Sequence, residues 1–408
     1  MSQGLALVAP FVSEHFSALH RLREFLSPPY DVLAEAERAA LAQRGENVVH
    51  LILPQGDGNR YQRAARLLEH WRRTLVLTRE NVPAVYVVQQ DFSIPGRTTL
   101  TRTGLLGAVA AEPFGKGRVK PHEHTHAGPK QDRLALMRAT QTMFESLLMM
   151  ARDETGDLER ALLTVTRAGA PWASADVKGE AVRVWQVVGD QAGMLAAAAG
   201  ESLYLADGHH RYETAVAYRT EQVRAARTLA LVVSVQDPGL VVLPTHRILR
   251  GEPPSPQVVQ QLERLGRVEE ASGGPEESLA RVRLLGGGCV MVLPGERLLV
   301  VTRRDAATDG PLARFHPAVR ALDVTWADAY AVELLNPGGG SVAYSSSIGE
   351  VISAVRSGAA GAGVLLNPPA VADVLDVADA GGFMPQKSTY FMPKVPSGLV
   401  MLPYQEGD

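Results

Sequence analysis

The chain has 408 residues, room for two or three domains at roughly 150 residues each. With 46% hydrophobic residues, 21% charged residues and a net charge of -3, it has the balance of a folded globular protein and lacks the basic excess that drives nonspecific binding to nucleic acid or acidic membranes. One cysteine, Cys289, excludes a disulfide framework and a thiolate zinc site, and its apolar flanks in LLGGGCVMVL predict a buried strand residue.

In chain order, LALVAPF reads as a short strand. SPPYDVL, residues 27–33, is held extended by two successive prolines, and AEAERAALAQRGE predicts a helix that stops at Gly45. VVHLILP, rich in β-branched residues and ended by Pro54, predicts a buried strand; YQRAARLLEHWRRTLVL has apolar residues at helical spacing. PAVYVVQQDFSI and TRTGLLGAVAAE predict a hairpin turning at Pro95 and Gly96. The polar FGKGRVKPHEHTHAGPKQDR predicts a loop, and LALMRATQTMFESLLMM a helix. A helix, short strands and another helix are expected over about 153–200, followed by the strand SLYLA, the helix HRYETAVAYRTEQ and the strand LALVVSVQ. From about 251 to 310 the pattern is helix, strand, helix, strand, strand, and the remainder alternates again through VAYSS, IGEVISAVRSG and GAGVLLNP. The expected fold class is α+β with a mixed α/β sheet, since the hairpin argues against a purely parallel one. The expected division is a main body over 1–250, an inserted α+β subdomain over 251–320, and a segment 321–408 that completes the body. No apolar stretch reaches the ~18 residues of a membrane helix. The first residues lack the basic and apolar regions of a signal peptide, so a cytoplasmic location is expected.

The centre of chemical interest is LYLADGHHRYETAV, residues 203–216. An apolar strand runs into Asp207-Gly208, and a helix follows. Gly208 permits a sharp turn and Asp207 stands where an N-cap would. A helix start presents unpaired N–H groups and partial positive charge, which suits an anion. Arg211 adds a forked cation, and His209 and His210 add donors that can also carry a proton. The plain alternative is a capped helix with surface histidines.

Four further clusters stand out. In PHEHTHAGPK, His122, Glu123, His124 and His126 alternate; these are metal-ligand types, and Glu123 could act as general base or hold Mg²⁺, although no HExxH spacing is present. In SPPYDVL, Tyr30 and Asp31 follow a rigid turn, with Asp31 either a cleft carboxylate or a helix cap. In PQKSTYFMPK, Lys387, Ser388, Thr389 and Lys394 suggest a phosphate clamp that is not a P-loop. LPTHRIL offers His246 and Arg247 as cleft lining after a strand.

Taken together, SPPYDV, NVVHLILP, PHEHT, QDRLALM, YLADGHHRYETA, LPTHR, LLNPP and MPQKSTYFMPKVPSGLV resemble, in order and over about residues 5–402, domain-of-unknown-function family 1015. The turn DGHHR between strand and helix also resembles the nucleotide-binding turn of the ParB/sulfiredoxin-like superfamily, which includes sulfiredoxins, CTP-binding partition proteins and free-serine kinases. That resemblance implies a nucleotide-binding core elaborated with additional α/β elements. The turn has no cysteine, which argues against sulfinate repair, and no helix-turn-helix or basic face points to a partition protein.

The kinase branch implies transfer of a phosphoryl group from ATP or ADP, with Mg²⁺, to the hydroxyl of a small molecule, L-serine being the acceptor that the resemblance suggests. Asp207, Gly208, His209, His210, Arg211, Lys387, Ser388 and Thr389 would bind the nucleotide. Arg211 with His209 or His210 would neutralise charge on the transferred group, Tyr30, His122, His246 and Arg247 would face the substrate, and Asp31 or Glu123 would take the hydroxyl proton or hold Mg²⁺. A non-catalytic nucleotide switch and a metal-dependent hydrolase on the His122–His126 loop are the alternatives. No nucleic-acid or membrane partner is expected.

Overall fold

The computed structural model describes residues 5–56, 58–94, 98–125, 127–255, 257–303, 310–336 and 338–404. Chain contacts divide it into two compact units. One is Met1–Pro121, Thr125–Val241 and Pro393–Asp408; the other is His122–His124 with Val242–Met392. The second unit is therefore wider than the expected insert over 251–320. Most of the segment expected to complete the body lies in it, because Ser341–Ser345 and Ala362–Leu365 are strands of its sheet.

The first unit is built on nine strands: β1 (Val8–Ala9), β2 (Ala84–Phe92), β3 (Leu100–Ala110), β4 (Val119–Lys120), β5 (Leu147–Ala151), β6 (Ala173–Val177), β7 (Glu180–Val188), β8 (Leu203–Asp207) and β9 (Arg227–Ser234). Their order across the sheet is β4-β8-β5-β9-β3-β2-β7-β6, with β1 paired to β3. β4 with β8 and β5 with β9 are parallel, and the other pairs are antiparallel. The sheet is thus mixed, as the hairpin of β2 and β3 predicts; its turn at Pro95 and Gly96 lies outside the described residues. Central strands read as unbroken apolar runs because both faces are covered: LLMMA in β5 is buried throughout. Helices α1 (Glu35–Ala42), α2 (Arg60–Arg73), α3 (Ala127–Thr140), α4 (Asp157–Ala168), α5 (Gly189–Ala197) and α6 (His209–Glu221) belong to this unit, and α3 packs on both α2 and α6.

Two expectations fail here for identifiable reasons. VVHLILP is a buried helical turn, Val49–Ile52, and not a strand. Buried Asn47 accepts from Val49 N (3.0 Å) and donates to Glu24 O and Leu26 O, so a side chain supplies the start of a helix. The turn then packs with Phe16, Phe25 and Trp71, and this packing overrides β propensity. LALMRATQTMFESLLMM is not one helix: α3 ends at Thr140, Gln141 takes a positive φ of 49°, and Leu147 onward is β5.

The second unit carries a six-stranded antiparallel sheet of β10 (His246–Arg250), β11 (Gly266–Glu270), β12 (Gly288–Leu293), β13 (Arg297–Arg303), β14 (Ser341–Ser345) and β15 (Ala362–Leu365), in the order β11-β13-β12-β15-β10-β14. The helices α7 (Gln257–Leu265), α8 (Pro275–Leu284), α9 (Ile348–Arg356) and α10 (Val371–Asp379) follow the expected alternation. Cys289 lies buried in β12 as predicted, and burial pushes its thiol well above the ordinary range. Among the described residues no helix is long and apolar enough to cross a membrane.

Candidate functional site

The strand, turn and helix around Gly208 form as expected. β8 ends at Asp207, Gly208 takes a left-handed φ of 94°, and α6 begins at His209. The N-cap is Gly208 and makes no side-chain cap, so Asp207 does not cap the helix. Its carboxylate is claimed by two cations: Lys394 Nζ donates to Oδ1 at 2.6 Å and Arg211 Nη2 to Oδ2 at 2.8 Å. Burial alone would raise this acid. The Lys394 ammonium, then the Arg211 guanidinium, hold it instead far below the usual carboxylate range.

Arg211 does not present its fork outward. It is buried, and Nη1 donates to Ser146 O at 2.7 Å. Despite burial, which disfavours its charge, Glu145, Asp207, Asp31 and Tyr30 together hold the guanidinium firmly protonated. A hollow of about 30 Å³ lies against Arg211, shared with Arg133, Met137, Phe144 and Thr214. That is room for about two waters and not for a phosphate. Arg211 therefore positions Asp207 and, through it, Lys394.

Tyr30 and Asp31 belong to the same neighbourhood. Tyr30 N donates to Glu145 Oε1 at 3.0 Å, and the Arg133 guanidinium lies 4.3 Å from the Tyr30 ring centre. Burial pushes the Tyr30 phenol up to about 12. Asp31 is exposed in the turn that follows Pro29; the cap position of α1 is Ala34, so Asp31 is not its cap. His209 is buried in the first turn of α6 and His210 half-buried. Glu145 and Arg133 are the residues that sequence reading passes over. Glu145 is a buried acid that also accepts from Ser397 Oγ (3.1 Å). Its one signal is a carboxylate inside the apolar run TMFESLLMM.

The other predicted residues gather in the second unit. Glu123 pairs in parallel fashion with Met384, and its Oε1 accepts from Lys387 N at 3.2 Å. His122, buried, bonds Thr389 Oγ1 through Nε2 at 3.1 Å, and Ser388 Oγ donates to Pro385 O. His124 stacks on Phe383, ring centres 3.9 Å apart, and His126 lies outside the described residues. Among the described residues no three His, Cys, Asp or Glu side chains converge as a metal cage. His246 and Arg247 follow the short strand Val241–Leu243, as expected, and themselves open strand β10. Arg247 is buried in a two-pronged pair with Asp328, at 2.8 and 2.9 Å. His246 Nδ1 accepts from Leu366 N at 3.1 Å; burial, then Arg247, pulls the imidazole down to about 4. Both read as structural members of a sheet and not as the lining of a cleft.

No curated protein matches the chain. Among solved structures it aligns with a free serine kinase in complex with AMP at TM-score 0.40 and 12% identity, covering 74% of this chain and 90% of that one. It aligns with a conserved hypothetical protein from Pyrococcus furiosus at TM-score 0.38 and 12% identity, covering 69% and 90%. SbnI with a C-terminal truncation, from Staphylococcus aureus, gives TM-score 0.37 and 12% identity over 72% and 85%. Likenesses of this size carry no argument about activity. A family model matches residues 8–325, most of the chain, and by that match the protein belongs to the family described as Protein of unknown function (DUF1015).

Proposed function

We propose that the turn between β8 and α6 receives the phosphates of a nucleotide, and that the protein transfers the terminal phosphoryl group to the hydroxyl of a small molecule. Supporting this reading is one arrangement above all: α6 opens from a left-handed glycine at the carboxyl end of β8, where Asp207 holds the Lys394 ammonium. A helix start and a fixed ammonium together favour clustered negative oxygens. Lys394, at 14% side-chain exposure, takes the role that the sequence assigns to Arg211.

Phosphoryl transfer needs positioning and charge neutralisation more than covalent help. In the proposed reaction the acceptor oxygen attacks the terminal phosphorus, the bond to the bridging oxygen breaks, and the shorter nucleotide leaves. The acceptor proton passes to a carboxylate. Asp31 suits that role better than Glu123, because it is exposed and electrostatically linked to Arg211 in the unit that carries the turn. Mg²⁺ would travel with the nucleotide phosphates, which ordinarily supply much of its coordination. Free L-serine is the acceptor suggested by the resemblance of DGHHR to the kinase branch, and ATP or ADP the donor.

The test is product analysis with ATP or ADP and Mg²⁺, with and without L-serine and other small hydroxyl compounds. Acceptor-dependent release of the shorter nucleotide is expected, falling at least ~100-fold in Asp31→Asn while nucleotide affinity stays within a few-fold. Release that ignores every acceptor, or an unaffected Asp31→Asn, contradicts the proposal. Nucleotide binding with no turnover would leave a binding switch.

A further inference from the structure

The second unit holds a cleft of about 500 Å³ that the proposed reaction does not use. Small-molecule sites ordinarily span about 300–1,000 Å³. Its walls are the end of α8, the glycine turn before β12, the end of β13, the helical turn that opens at Asp323, and the LLNPP segment that leads into α10. Gly286, Gly287 and Gly288 all take positive φ, at 91°, 110° and 138°. A Cβ on Gly287 would collide with Asp323 Oδ1 and stand 2.9 Å from Arg303 Nε, so the bare turn is what admits both side chains.

Four charged side chains line the cleft, two of each sign: Arg283 and Arg303, Asp323 and Asp373. Arg283 donates Nη2 to Asn367 Oδ1 at 3.0 Å, and Arg303 donates Nε to Gly286 O at 3.2 Å and Nη1 to Ala321 O. Asp323 Oδ1 accepts from Gly288 N at 2.9 Å, and Asp373 Oδ2 accepts from Ala370 N at 2.8 Å. Among the described residues this leaves donors on both guanidinia and one oxygen on each carboxylate. Burial raises the Asp323 carboxyl, Arg303 pulls it back, and Asp373 and Arg283 also act on it, so the four charges share one field. Two cations and two anions give no net attraction for a multiply charged phosphate. They match a ligand that itself carries both signs, a carboxylate for the guanidinia and an ammonium for the acids. Leu322 and the pair Pro368 and Pro369 add an apolar wall. We propose that this cleft binds the zwitterion of an α-amino acid with an apolar side chain. Arg283 and Arg303 take its carboxylate, and Asp323 and Asp373 its ammonium. The site is independent of the nucleotide reading, since every residue in it belongs to the second unit and the turn at Gly208 to the first.

The experiment is thermal melting of the full chain, titrated separately with L-valine, L-leucine, L-methionine and L-phenylalanine. For each, the amide lacks the carboxylate and the N-acetyl derivative lacks the ammonium. The wild type is expected to gain roughly 3 °C for each tenfold rise of at least one amino acid above its dissociation constant, and to ignore both of its derivatives. Arg283→Gln should weaken that response at least ~10-fold. Arg283 is exposed, so its ligand-free melting should stay within about 2 °C of the wild type. Asp373→Asn, which keeps the oxygen that accepts Ala370 N and removes the charge, should weaken the response similarly. A wild-type melt indifferent to all four amino acids overturns the proposal, as does an equal response to an amide or N-acetyl derivative. So does a response that both variants retain, since the amino acid would then sit elsewhere, the acceptor position of the proposed reaction included.

Discussion

Asp207 shows how a motif can be located correctly and its members still exchange roles. A carboxylate before a glycine and a helix normally caps that helix, but here it is the hub of two ion pairs, with Lys394 and with Arg211. Removing its charge strands two cations, so Asp207→Asn is expected to destabilise the first unit by about 3 kcal/mol, measured by chemical denaturation. Because its folded pKa lies below the ordinary value, its contribution is present above that value and is lost as pH falls. Glu180 has the opposite sign. Its folded pKa, about 7, lies above the ordinary 4.5, so its contribution is complete below 4.5 and is lost as pH rises through 7. Glu180→Gln should therefore stabilise the protein at pH 8, on the order of 1 kcal/mol after allowing for solvent screening, and have no such effect at pH 4. His246 gives a third case. Its depressed pKa, about 4, means that stability present above pH 6.5 is lost as pH falls toward 4. Amide exchange in β10 should accelerate across that window in the wild type and much less in His246→Phe.

At the scale of elements, the turn between β8 and α6 depends on Gly208. A Cβ there would meet Leu147 Cδ2 at 2.6 Å and the Arg211 guanidinium at 3.2 Å, on a backbone with φ of 94°. Gly208→Ala should cost about 1–3 kcal/mol in denaturant melts and weaken nucleotide binding by displacing Arg211 from Asp207. This element was legible because the strand-to-helix change of period and the glycine coincide in LYLADGHHRYETAV. Helices with an apolar stripe, such as α2 and α4, were legible for the same reason. Val49–Ile52 was not, because its helical turn is set by the side chain of Asn47 and by aromatic rings distant in sequence. The strand β5 hid behind α3 because an apolar run without periodicity does not say where a helix stops.

For the whole molecule, the mixed sheet of the first unit and the alternation of the second were readable from local patterns. The extent of each unit was not, since strand pairing such as β10 with β14 joins residues nearly a hundred positions apart. The same long-range closure brings Lys394 and Ser397 to Asp207 and Glu145, so the sequence marks Lys394 as a phosphate ligand without showing that it meets Asp207. DGHHR supplies the turn, while the charge held there arrives from the far end of the chain. The measurement that bears most directly on the proposed site is calorimetric titration of ADP and ATP, with Mg²⁺, into the wild type and Lys394→Met. Saturable binding by the wild type, weakened at least ~30-fold by Lys394→Met while the variant remains folded, is the expected result. An affinity unchanged by Lys394→Met would contradict the placement of phosphate beside Asp207.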